Sequence, residues 1–215
     1  MEMIQVLGPF NSGSSLFNGI LNSGIDMKIM NRAWWKHTLD LNRIESIVKN
    51  NPKCLFICVY RPFPFWVFGM LKAPYTLTWN RNLYSPCQMN ETIHTIKNQS
   101  KFNNISDIYN KYYNNYIFLE KKYKNVIHVN YYKFIKKDTV YNYVSDILKP
   151  YNIKLEENFY HKLEKPIKKH GNPVKNSEEA FIRKQKIIDK INCSPNIKKY
   201  FDEHTDMIIK NYYEN

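Results

Sequence analysis

The chain has 215 residues, 43% of them hydrophobic and 15% aromatic, which supports a real core in one compact domain and excludes global disorder. Lysine and arginine number 32 against 19 acidic residues, a formal net charge of +13; the surplus calls for anionic partners, whether nucleic acid, phosphorylated or sulfated molecules, or a membrane surface. Cys54, Cys58, Cys87 and Cys193 form no CxxC pair, so neither a disulfide framework nor a zinc site is expected.

Ile4 to Leu7 is a short apolar run that stops at Gly8-Pro9. Small residues follow, then helical spacing through Leu16, Phe17, Ile20 and Leu21 to Gly24, so the segment reads as strand, loop, helix. Met27 to Met30 predicts a second strand, and Asp40 to Lys49 a helix that Pro52 closes. Cys54 to Tyr60 is continuously apolar and β-branched or aromatic in part, the pattern of a strand buried on both faces at the centre of a parallel sheet. Phe63 to Leu71 reads as helical, and residues 73–104 show no readable period. Ile105 to Tyr123 predicts a helix, Val126 to Val129 a strand, and Tyr131 to Lys137 and Val140 to Leu148 two further helices. Residues 164–177 are basic and turn-rich; 178–191 and 196–213 predict two terminal helices.

Strands alternating with helices predict an α/β fold, a central parallel sheet flanked by helices. The expected organisation is a single domain over residues 1–215, with a core in 1–150 and the basic loop and C-terminal helices of 151–215 packing on it. The longest apolar stretch, Leu55 to Leu71, is broken by Arg61, Pro62 and Pro64, so no membrane span is expected. The N-terminus has neither the basic start nor the apolar run of a signal peptide, and a cytoplasmic location is the expectation.

In such folds ligands sit beyond the carboxyl ends of the strands, so the residues after each strand carry the functional question. Gly8-Pro9-Phe10-Asn11-Ser12-Gly13-Ser14-Ser15 has the glycine spacing of a Walker A loop, with Ser14 where an NTPase needs lysine. Its backbone N–H groups and hydroxyls suit a single phosphate better than a triphosphate; the alternative is a Ser/Gly turn with Ser14 capping the helix. Arg61, after the third strand, is placed to hold a phosphate, or to pair with a carboxylate or carbonyls. Trp34-Trp35-Lys36-His37 reads as a pocket wall with an acid–base pair, or as two core tryptophans beside a surface Lys-His. The remaining histidines lack metal-ligand spacing, His128 reads as a satisfied core residue, and no metal is expected.

Taken together, the segment Ile4 to Leu16 resembles the 5′-phosphosulfate loop of the PAPS-dependent sulfotransferases. Phe56 to Phe63, a strand ending in Arg61-Pro62, is similar to that family's 3′-phosphate signature. Asn125 to Phe134 is similar to its later strand and Tyr-Glu-Asp-Leu-like turn, and Trp35-Lys36-His37 resembles a Lys-His subgroup. The resemblance covers roughly residues 4–150. It implies a P-loop sulfotransferase-like fold, PAPS as donor and PAP as product. It implies that Asn11, Ser12, Gly13, Ser14 and Ser15 line the phosphosulfate site and that Arg61 holds the 3′-phosphate.

The departures are Asn11 where members carry Lys or Arg, Gly69 where they carry Ser, and Tyr131-Tyr132-Lys133-Phe134 without the acidic pair. His37 is the candidate base. Lys36, or a lysine of a lid at 165–175, is the candidate cation, and Trp34 and Trp35 are candidate acceptor contacts. The expected acceptor is a hydroxyl or amine of a carbohydrate or small molecule. The alternatives are an inactive sulfotransferase-like domain that binds a nucleotide or glycan, and a basic nucleic-acid-binding module, for which no recognition motif is found.

Overall fold

The computed structural model describes residues 1–29, 36–73, 77–78, 93–95, 101–135, 139–156 and 177–213. The chain divides into two compact units, Met1–Arg61 with Asn115–Ala180, and Pro62–Asn114 with Phe181–Asn215.

The first unit is an α/β layer. Its strands β1 (Met3–Leu7), β2 (Lys28–Ile29), β3 (Cys54–Tyr60) and β7 (Val126–Asn130) form a four-stranded sheet in the order β2-β1-β3-β7. Every pairing is parallel. All seven residues of β3 are buried, as its unbroken apolar run requires of a strand covered on both faces. Helices flank the sheet. In α1 (Ser14–Gly24), Phe17, Ile20, Leu21 and Gly24 are buried, a spacing of three and four that forms one stripe. In α2 (Leu41–Asn50), Ile44 and Val48 are buried, and the Asp40 carboxylate caps the first turn by accepting from the Arg43 amide at 3.1 Å. After β7 come a one-turn helix α5 (Tyr131–Phe134) and α6 (Val140–Leu148), which buries Val140, Val144 and Leu148.

The second unit is helical with a small sheet. Pro62 caps α3 (Phe63–Lys72). Strands β4 (Leu77–Thr78), β5 (Ile93–Thr95) and β6 (Lys101–Phe102) pair antiparallel in that order. The long helix α4 (Ile105–Lys122) begins in this unit and ends in the first. Helices α7 (Ser177–Asn192), α8 (Pro195–His204) and α9 (Met207–Tyr213) complete the chain. Where one helix was expected over 196–213, the structure has two: Thr205 is extended and ends α8. The core here is aromatic. Phe63 packs on Tyr109 at 4.7 Å and edge-on to Phe201 at 5.3 Å, and Trp66 and Tyr113 are fully buried beside Tyr109.

Among the described residues no helix is long and apolar enough to cross a membrane, and no group of three or more His, Cys, Asp or Glu side chains could hold a metal ion.

His128, inside β7, turns Nε2 to the Tyr116 carbonyl at 3.1 Å. Burial lowers its pKa from 6.5 to about 4, partly opposed by that carbonyl. The folded value lies below the unfolded one, so the unfolded chain binds more protons between pH 6.5 and 4 and stability falls as pH drops through that window. His128→Gln keeps a donor for Tyr116 and removes the titration. Thermal melts from pH 7.5 to 4.5 are expected to show a shallower loss of Tm in this variant, and an unchanged slope would contradict the assignment.

Candidate functional site

The strand order sets where the site can lie. From β1 the chain passes through α1 to β2 on one side; from β3 it passes on toward β7 on the other. The order reverses between β1 and β3, and a crevice opens at the carboxyl ends of such a pair. Leu7 pairs with Cys58 and Tyr60 with Asn130. The 8–13 loop, Arg61 and Tyr131 therefore leave the sheet at the same edge, on neighbouring strands.

The loop is held open by backbone geometry. Asn11 has φ 59° and Gly13 has φ 94°, both left-handed. The Ser12 amide donates to the Pro9 carbonyl at 3.2 Å. Gly13, rather than Ser14, takes the helix N-cap position, and no side chain caps the helix. The first bond inside the turn runs from the Phe17 amide to the Gly13 carbonyl at 3.0 Å. The amides of Ser14, Ser15 and Leu16 thus lack intrahelical acceptors, the arrangement in which a helix start attracts an anion. Ser12 is fully buried and its hydroxyl has no hydrogen-bond partner among the described residues; it lies against the Cα of Gly8, where a Cβ would collide with it. Ser14 is also buried.

Two cations meet this loop. The Arg61 guanidinium donates from Nη1 to the Asn11 carbonyl at 2.6 Å and lies 4.9 Å from the centre of the Tyr131 ring. Lys36 Nζ donates to Ser15 Oγ at 2.8 Å. The backbone beside Lys36 is tied in as well, the Gly8 amide donating to the Lys36 carbonyl at 3.1 Å. His37 sits next to it, with Nδ1 2.5 Å from the Gly8 carbonyl and its ring stacked on Phe10 at 4.1 Å. Only a protonated Nδ1 can donate to that carbonyl, so the contact selects the tautomer with its lone pair on Nε2. Burial lowers the His37 pKa from 6.5 to about 4; the Gly8 and Pro9 carbonyls oppose this and the Lys36 charge adds to it. The ring is neutral at pH 7.

Asn11, Ser12, Gly13, Ser14, Ser15, Lys36, His37 and Arg61 are thus gathered at one sheet edge. Trp34, Trp35 and the basic 165–175 segment lie outside the described residues. Gly69 lies within α3 of the second unit. Sequence reasoning noted Tyr131 and Tyr132 only as part of the turn that lacks the acidic pair and gave them no role in the site. The Tyr131 ring carries Arg61 and backs Gly13. Tyr132 is bonded to Arg61, and burial, the larger effect, raises its phenol pKa while Arg61 opposes the rise. The signal was present: the residue after β7 occupies the same sheet edge as the residue after β3.

Compared with known proteins, the chain matches no family model, no curated protein and no solved structure.

Gly13 is irreplaceable on two counts. Its φ is one that side chains avoid, and a Cβ there would fall 2.6 Å from Tyr131 Cε2. Gly13→Ala is expected to destabilise the fold by about 1–3 kcal/mol, measured by urea unfolding. Wild-type stability in that variant would contradict the loop geometry.

Proposed function

We propose that this chain binds a 3′-phosphorylated adenine nucleotide at the loop after β1 and transfers a sulfuryl group from PAPS to a hydroxyl or amine of a carbohydrate or small molecule. The observation that carries this reading is the meeting of Lys36 and Arg61 on one loop, at Ser15 and Asn11 respectively. Asn11 has no charge to offer the bridging oxygen of a phosphosulfate. Lys36 brings an ammonium to the same loop from the segment after β2.

In this reading the amides of Ser14 and Ser15 and the hydroxyl of Ser12 hold the 5′-phosphosulfate, and Arg61 holds the 3′-phosphate. The acceptor oxygen or nitrogen attacks sulfur in line. Its bond to sulfur forms as the sulfur–bridging oxygen bond breaks, and 3′,5′-ADP leaves with the bridging oxygen. Lys36 neutralises the charge that grows on that oxygen. His37, neutral and with its lone pair on Nε2, accepts the acceptor's proton. Catalysis is then mostly positioning and charge stabilisation.

A second reading, a nucleotide-binding domain without turnover, is favoured by one observation. A histidine with a pKa of about 4, tied to the Gly8 carbonyl, is a weak base.

Thermal-shift titration separates the classes of ligand. 3′,5′-ADP is expected to raise Tm more than ATP, GTP or 5′-AMP at equal concentration, a ligand at about 100 times its Kd adding roughly 2.7 kcal/mol. Arg61→Ala is expected to weaken 3′,5′-ADP about 10- to 100-fold. Equal shifts for all nucleotides, or binding to any polynucleotide that collapses with salt, would refute the assignment.

His37→Ala is expected to abolish sulfate transfer while leaving 3′,5′-ADP affinity within about threefold, since a proton acceptor acts on the reaction rather than on binding. In the wild type, kcat/KM should stay level from pH 8 down to pH 5 and fall only near pH 4, where free His37 protonates. Transfer that persists in His37→Ala excludes the base role. Tight binding with no transfer to a broad acceptor panel selects the second reading.

A further inference from the structure

We infer that Tyr131 is a positioning residue, whose ring fixes the offset between the Arg61 guanidinium and the Gly13 turn. The inference deepens the nucleotide-site reading above and rests on it for its functional meaning; the packing it describes does not.

Three observations converge on this ring. First, the parallel register that sets Tyr60 opposite Asn130 brings Arg61 and Tyr131 side by side as each leaves the sheet. Arg61 Cζ lies 4.9 Å from the ring centre. Second, the Cδ2–Cε2 edge of the same ring presses on Gly13, leaving no room there for a Cβ. One aromatic ring thus touches both the cation and the left-handed turn that opens α1. Third, the ring is itself immobilised. Tyr131 is 9% exposed. Tyr132 meets it edge-on at 5.1 Å and Phe134 at 5.5 Å, and Phe134 rests on Phe17 of α1 at 4.8 Å. A shift of the ring would have to move α1 as well.

An aromatic face suits this task for an electrostatic reason. It attracts a guanidinium through its quadrupole but carries no net charge. A carboxylate in the same place would steady Arg61 equally well and cancel the charge needed for an anion. The carbonyl of Asn11 and the phenol of Tyr132, which also meet the guanidinium, are likewise uncharged. None of these three contacts neutralises the guanidinium. The Tyr131 hydroxyl has no part in this, so phenylalanine should serve.

The test combines a ligand-free signature with a double-mutant cycle. Stacking on Tyr131 should move the Arg61 side-chain proton resonances upfield by ring current in the ligand-free wild type. The shift should persist in Tyr131→Phe and vanish in Tyr131→Leu. Calorimetry with 3′,5′-ADP should find Tyr131→Phe within about twofold of wild type and Tyr131→Leu roughly tenfold weaker, the scale of one desolvated cation–π contact. In an Arg61→Ala background, Tyr131→Leu should cost no further affinity. An equal loss in both backgrounds would overturn the proposal, because Tyr131 would then act independently of Arg61. So would an absent upfield shift in the wild type, a result that needs no variant to fold. If the wild type shows the shift but fails to bind 3′,5′-ADP, the nucleotide reading fails while the positioning of Arg61 by Tyr131 stands.

Discussion

The parallel pairing of β1 with β3 is the constraint on which the candidate site depends. Residues Met3 to Leu7 run in register with Cys54 to Cys58, so whatever follows one strand emerges beside whatever follows the other. The chain turns away in opposite directions from this pair, the topology in which a crevice opens between the strand ends. Every side chain of β3 is buried, which makes this register costly to shift: a slip would put apolar residues where the loop and Arg61 now stand. The core thus fixes a polar site that it does not itself contain.

At that edge the chain gathers positive potential. The helix start at Ser14, the ammonium of Lys36 and the guanidinium of Arg61 converge within one short loop, and the contacts that order them include a hydroxyl, a carbonyl and an aromatic face. Such an arrangement stores repulsion that an anion relieves. Burial opposes a further charge in the same place, and it is the main reason that His37 stays neutral there. The hydroxyl of Ser12, buried and without a hydrogen-bond partner among the described residues, is a donor whose desolvation an incoming acceptor would compensate.

Much of the first unit was legible in the sequence because its signals are physically strong. The run Cys54 to Tyr60 matches its strand residue for residue, and α1, α2 and α6 follow the spacing of Phe17 and Ile20, of Ile44 and Val48, and of Val140, Val144 and Leu148. The approach of Arg61 to the loop followed from the same reasoning, since both segments end strands of one sheet. Four things were not legible. The β4-β5-β6 sheet is built from strands of two and three residues, too short to display a period of two. The break at Thr205 carries neither Gly nor Pro, so nothing in composition marks it. The role of Gly13 was hidden by its neighbour: serine is the better helix cap by propensity, but the left-handed turn at position 13 and the Tyr131 ring behind it are tertiary facts. Tyr131 itself was obscured by abundance, one of 17 tyrosines.

The account stands or falls on where an anion lands. Amide chemical shifts of the isotopically labelled protein, followed while 3′,5′-ADP is added at moderate salt, locate it directly. Saturable shifts concentrated at Gly13, Ser14 and Ser15, together with the Arg61 side chain, are the predicted result. Shifts confined to Lys184, Lys186 and Lys190 of α7, or a pattern that never saturates and disappears with salt, would contradict it.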